Sequence, residues 1–180
     1  MPGVRDGALD SEWYGHTQAK LVEAPYIVRI AEKYALIYST GAYQQADYKA
    51  GVAWSDTLQP AGGKLYRKVL ETDSRGIWGH PGRPEVRYLL QSQRPRWPNF
   101  SGGQVLGPGV ASAVRGPAGA LWLYFAGFDP RDRSLTSPGV AKADHRRPYF
   151  VKLREAVPVA QTVAAASDAE LAAWLQPEAQ

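Results

Sequence analysis

The sequence contains no cysteine. Disulfide bridges, thiol catalysis and cysteine-based zinc sites are therefore excluded. No apolar run approaches the ~20 residues that a membrane-spanning helix needs. The first residues, MPGVRDGALDSEW, lack the apolar stretch of a secretory signal. The chain thus reads as cytoplasmic, or as secreted if a leader has been removed, with no membrane partner. Asn99-Phe100-Ser101 fits a glycosylation sequon that stays idle without secretion. P-loop, dinucleotide glycine fingerprint, HExxH and nucleophile-elbow motifs are missing too. No cofactor is expected.

The chain has 180 residues, 44% of them apolar, enough for one domain with a real core. Six Trp and ten Tyr suit β-rich cores and sugar-stacking surfaces equally. The net charge of +4 points weakly to an anionic partner. Its arginines are dispersed, densest at Arg94/Arg96 and Arg146/Arg147, and no recognition motif accompanies them. Nucleic acid is not an expected partner.

Short apolar runs of period two recur at 26–30, 34–39, 48–54, 65–70, 86–90, 111–115, 121–126 and 149–153. Gly, Pro, Asn and Asp punctuate them, the pattern of an all-β chain of meanders. Residues 72–108 are rich in Gly, Pro and Arg and read as a long loop or irregular hairpin. The chain also repeats itself. Val28-Arg29, Tyr38 and Gly41 recur as Val114-Arg115, Tyr124 and Gly127 at one offset of 86 residues. Each copy reads as strand, turn (30–33 and 116–119) and a second strand carrying an outward Tyr. Two such units suggest two blades of a β-propeller. At the C-terminus, Ser167 and Glu170 fit a capping box, Leu171, Trp174 and Leu175 follow at helical spacing, and Pro177 stops the run. This short amphipathic helix must pack on its own domain or on a second chain. The expected organisation is an extension over 1–15, a partial propeller over 16–154 and a helical tail over 155–180.

Among the carboxylates, Glu23 stands out. It lies in the strand-like stretch LVEAPYIV, two residues before Pro25, either as a solvated edge residue or at the mouth of a site. Trp78 and Trp97, in the Gly/Pro-rich segment, are candidates for stacking on sugar. Asp129 and Asp132 read as turn formers. His16, His80 and His145 are scattered and read as surface residues.

Five stretches in order resemble glycoside hydrolase family 43. Glu23-Ala24-Pro25-Tyr26 is similar to its Glu-Gly/Ala-Pro-aromatic motif. Residues 34–39, YALIYS, with Tyr43 and then 48–53, YKAGVA, are similar to its "YYLFYS" and "Y-x-x-G-V-A" strands. Residues 105–112, VLGPGVAS, resemble its "GPGH-x-S" turn. Leu121-Trp122-Leu123-Tyr124 resembles "WWLVYH", and 146–153, RRPYFVKL, its closing "GR-x-L-Y-I-x-x-L" segment. The likeness covers about residues 20–154. It implies a five-bladed propeller with a central carbohydrate pocket, and inverting hydrolysis of xylosides, arabinofuranosides, arabinan or galactosides. Glu23 takes the general-acid position, and Arg146 lies near the acid's pocket as a substrate or pKa-tuning contact. Tyr43, Trp78 and Trp97 complete the expected sugar contacts.

The sequence departs from that pattern in three ways. The blades that supply the catalytic base are missing, and Asp6, Asp10 and Glu12 match no base motif. Val110 replaces the His of the "GPGH" turn and cannot ligate, so no metal is expected. Two or three blades cannot close a ring, and an open blade would expose an apolar face. A homodimer would cover it. Three functions follow: a small glycosidase acting as an oligomer, a non-catalytic carbohydrate-binding remnant, or a subunit completed by a separate chain.

Overall fold

Period-two alternation sends successive side chains to opposite faces of a strand, and β-branched and aromatic residues pack well there. The computed structural model describes residues 21–43, 48–62, 65–72, 82, 84–92, 105–129 and 145–178. In it the apolar runs are strands. The first antiparallel blade is β1 (Glu23–Ile30), β2 (Lys33–Thr40) and β3 (Lys49–Ser55). The far edge of β3 is shared by β4 (Arg67–Lys68) and β7 (Tyr88–Leu90). β5 (Leu70–Thr72) and β6 (Pro84–Val86) form a two-stranded piece. The second blade is a four-stranded antiparallel meander of β8 (Leu106–Arg115), β9 (Leu121–Phe128), β10 (Arg147–Glu155) and β11 (Leu175–Pro177). With the short helix α1 (Asp168–Trp174), this is a partial β-propeller. The segment expected as a loop or irregular hairpin contributes β6 and β7; its residues 73–81, 83 and 93–104 lie outside the described residues.

Every residue of β3 is buried, because both faces of this inner strand are covered. On one face Ile30, Ile37, Val52 and Trp54 meet Ala111, Ala113, Leu121 and Leu123 of the second blade. On the other, Leu36, Tyr38, Ala53 and Tyr66 form a second cluster. Gly51 sits under Tyr38 there. A Cβ on it would stand 2.5 Å from the Tyr38 ring, so only glycine lets that ring lie against the strand.

The helix packs on its own domain. Leu171, Trp174 and Leu175 share the core between the blades, and Trp174 meets Trp54 edge-to-face at 5.4 Å. Arg67 donates to the carbonyls of Val163 and Ala166 at 2.9 and 2.6 Å, and the Asp56 carboxylate accepts from the Val163 N–H. Ser167 and Glu170 form the capping box. The Ser167 N–H and hydroxyl, with Gln161, hold the Glu170 carboxyl below the usual carboxylate range. A depressed carboxyl stabilises above its unfolded-state value and loses that contribution as pH falls through the folded one. Ser167→Ala lowers Tm by about 2–4 °C, a difference that calorimetry shows narrowing on acidification. The helical run ends earlier than its spacing suggests. Leu175 is already extended (φ −143°) and pairs with Glu155, so a final strand follows the helix directly.

The internal repeat is real, but its offset changes along it. In the first blade Glu23 pairs with Ser39 and Tyr26 with Ile37. In the second, Gly109 pairs with Ala126 and Ser112 with Tyr124. The first strands match at 86 residues and the second strands at 87, since the 116–120 connection carries one more residue. There Gly119 takes φ +78° and donates to the Gly116 carbonyl. A one-residue slip turns every side chain to the opposite face. Tyr38 therefore corresponds to Phe125 and is fully buried, whereas Tyr124, 48% exposed, corresponds to Ile37. The expectation of an outward Tyr holds for Tyr124 and is corrected for Tyr38.

Candidate functional site

Pro25 has no N–H to give to a sheet ladder, so β1 cannot pair regularly beside it. The chain solves this with a bulge: the register shifts between Glu23 and Tyr26, and Ala24 takes φ 48°. The second blade bulges at the matching place, with Val110 at φ 53°. A β-branched residue is strained there, at a cost of roughly 1–3 kcal/mol. The turned backbone is held by the Val110 N–H, which donates to Ser39 Oγ at 2.7 Å. The two bulges meet where the blades join. One presents a carboxylate, Glu23; the other, at the equivalent position, presents Gly109.

Tyr48 occupies the space that Gly109 leaves. A Cβ on Gly109 would collide with the Tyr48 ring. Tyr48 is fully buried, and its hydroxyl donates to Glu23 Oε1 at 2.7 Å. Burial pushes its phenol well above the ordinary range, and the hydrogen bond to Glu23 adds to the shift. The Arg146 guanidinium stacks over Tyr48 at 4.9 Å and over Phe128 at 5.0 Å. It donates to the carbonyls of Tyr43, Gly107 and Ala126 at 3.0, 2.8 and 2.6 Å. Burial lowers its pKa, with Tyr48 and Glu23 opposing. Arginine still stays charged at any working pH. Beside this seam an open depression of about 370 Å³ is lined by Val110, Ser112, Tyr124, Arg146 and Arg147.

Three of the expected residues thus gather at one place: Glu23, Arg146 and Tyr43, the last through its backbone carbonyl. Tyr43's side chain is 38% exposed. Arg146 acts here as a strut that ties three segments together. Trp78 and Trp97 lie outside the described residues, as do Asp6, Asp10, Glu12, His16, His80 and Asp132. His145 is exposed. Sequence reasoning missed Tyr48, Ser39, Phe128 and Gly109 as members of the site. The available signal was slight: Tyr48 opens the YKAGVA stretch, and Gly109 falls opposite Glu23 in the repeat. Among the described residues no group of three or more His, Asp or Glu could hold a metal ion. No described helix is long and apolar enough to cross a membrane.

No family model matches the sequence, and no curated relative does. Solved structures do. An endo-1,4-β-xylanase from Bacteroides thetaiotaomicron matches with a TM-score of 0.51 at 19% identity, over 92% of this chain and 40% of its own. An exo-1,5-α-L-arabinanase from a bovine ruminal metagenomic library matches at 0.50 and 17%, over 99% and 43%. A thermostable family-43 glycoside hydrolase matches at 0.49 and 20%, over 88% and 36%. The chain therefore spans about two fifths of these proteins' length. At such identities the likeness is one of fold. With two antiparallel blades joined along a bulged seam, the chain has the fold of part of a family 43 glycoside hydrolase propeller.

Proposed function

We propose that the chain is the acid-bearing part of a glycoside hydrolase acting on a terminal xyloside, arabinofuranoside or galactoside. One observation carries this reading. Glu23 stands at the bulged end of a blade's first strand, oriented by a buried tyrosine at the seam between blades. In the reaction the Glu23 carboxyl gives its proton to the leaving glycosidic oxygen as the bond to the anomeric carbon breaks. Water attacks that carbon from the opposite face and loses its proton to a second carboxylate, roughly 6.5–9.5 Å from the first in an inverting enzyme. That base is unassigned. The substrate class is supported by the xylanase and the arabinanase that share the fold. Assay against a panel of nitrophenyl xylosides, arabinofuranosides and galactosides tests the reading. Turnover of at least one supports it; none across the panel defeats it. Sugar binding by calorimetry without turnover favours the non-catalytic alternative.

The proposed enzyme works as a homodimer. Val28, Ala35 and Ile37 of the first blade pack into the core against the second blade. Their equivalents in the second blade are Val114, Trp122 and Tyr124, and Val114 and Tyr124 are about half exposed. Phe150, 57% exposed, extends this surface, 5.7 Å from Trp122 and 6.0 Å from Tyr124. The second blade thus shows solvent the surface that the first blade covers. On the first blade's other face Leu36, Tyr38, Ala53 and Tyr66 are already buried within the chain, leaving Ile27 as an exposed apolar residue there, a smaller surface than the second blade's open face. A second copy pairs open face to open face across a two-fold axis. Light scattering at micromolar concentration gives twice the chain mass, and Tyr124→Arg or Phe150→Arg gives the single mass. A monomeric wild type refutes the dimer, and a mass above two chains refutes the closed pairing.

A further inference from the structure

We propose that Tyr48 positions the Glu23 carboxyl and is itself set from the neighbouring blade, through Ser39 and Gly109. The kinetic consequence rests on Glu23 being the general acid; the positioning does not.

The Tyr48 hydroxyl, with a single proton to give, donates it to Glu23 Oε1 at 2.7 Å. Ser39 also acts on the Tyr48 phenol, lowering its pKa against the larger push of burial. Ser39 is itself held from the second blade, since its Oγ accepts from the Val110 N–H at 2.7 Å. Val110 is strained, at φ 53°, and its turned N–H makes that contact. The carboxyl's donor is thus set by groups that do not touch the carboxyl. The ring that carries the hydroxyl is packed by Gly109, where any side chain would collide with it, and by the Arg146 guanidinium. Arg146 adds a charge at this seam, and both Tyr48 and Glu23 act on it electrostatically. Neither blade alone builds the arrangement. Glu23, Ser39 and Tyr48 come from the first blade, and Gly109 and Val110 from the second.

Tyr48→Phe keeps the ring and removes the donor. It lowers kcat for glycoside hydrolysis by about 10–100-fold with little change in KM. A group that only supported the fold would not confine its effect to kcat, so the split between kcat and KM reads positioning. Unchanged kcat on a disaccharide substrate in Tyr48→Phe, where Glu23→Gln shows its large loss, overturns the proposal. If the wild type turns over no glycoside, the function fails and the positioning is still read by NMR on protein labelled at the tyrosine ζ-carbons. The Tyr48 signal, assigned by its loss in Tyr48→Phe, then moves in Glu23→Ala, which removes the acceptor, and stays near its wild-type place in Glu23→Gln, which keeps one. A Tyr48 signal that Glu23→Ala leaves unmoved overturns it.

Discussion

Glu23→Gln lowers kcat/KM for a disaccharide substrate by about 10²–10⁴-fold, and lowers it far less for a 4-nitrophenyl glycoside. The difference comes from the leaving group. A sugar departs as a strongly basic alkoxide unless it is protonated as the bond breaks, so losing the acid costs the whole of its contribution. Nitrophenolate is stable enough to leave with little help. Glutamine keeps the shape of the side chain and an oxygen to accept the Tyr48 hydroxyl, which donates to Glu23 at 2.7 Å. The fold and the seam therefore survive the substitution. Steady-state kinetics on a matched pair of substrates checks this. Equal losses on both mean that Glu23 does something other than protonate the leaving oxygen.

Trp54→Ala destabilises the fold by about 3–5 kcal/mol. At 2–4 °C per kcal/mol for a chain of this size, Tm falls by about 6–20 °C. Trp54 is fully buried in a strand with no exposed residue, and lies in the core shared by both blades and the tail. Its edge-to-face contact with Trp174 at 5.4 Å ties the helix to the first blade. Such a pair is worth roughly 0.5–1.5 kcal/mol beyond area burial, which a double-mutant cycle with Trp174→Ala isolates. Trp54 Nε1 has no hydrogen-bond partner among the described residues. Trp54→Phe therefore sacrifices no hydrogen bond and costs clearly less than Trp54→Ala. A Trp54→Ala loss below about 1 kcal/mol by denaturant titration would show that blades and tail are not one cooperative core.

The strands were legible because their causes are local: alternation over five to eight residues, bounded by turn formers. The helix start was legible for the same reason, Ser167 and Glu170 standing three apart before an apolar stripe. Glu23 could be singled out because a carboxylate and a proline interrupt an otherwise ordinary strand. Its place in a repeat was visible too, since the first strands of the two hairpins keep one offset.

The rest depended on register and on long-range approach, which leave no mark on neighbouring residues. One extra residue in the 116–120 connection moves the second strand's match from 86 to 87 and exchanges its faces. Spacing alone made Tyr38 and Tyr124 equivalent, whereas pairing buries one and exposes the other. Tyr48 reaches Glu23 across 25 residues, and Arg146 reaches Tyr43 across 103. By itself the sequence determined which segments are strands, where the helix begins and which carboxylate is unusual. Only the tertiary structure decided which faces are covered and what holds that carboxylate. Both follow from how two bulged blades settle against each other, and that settling brings together residues far apart in the chain.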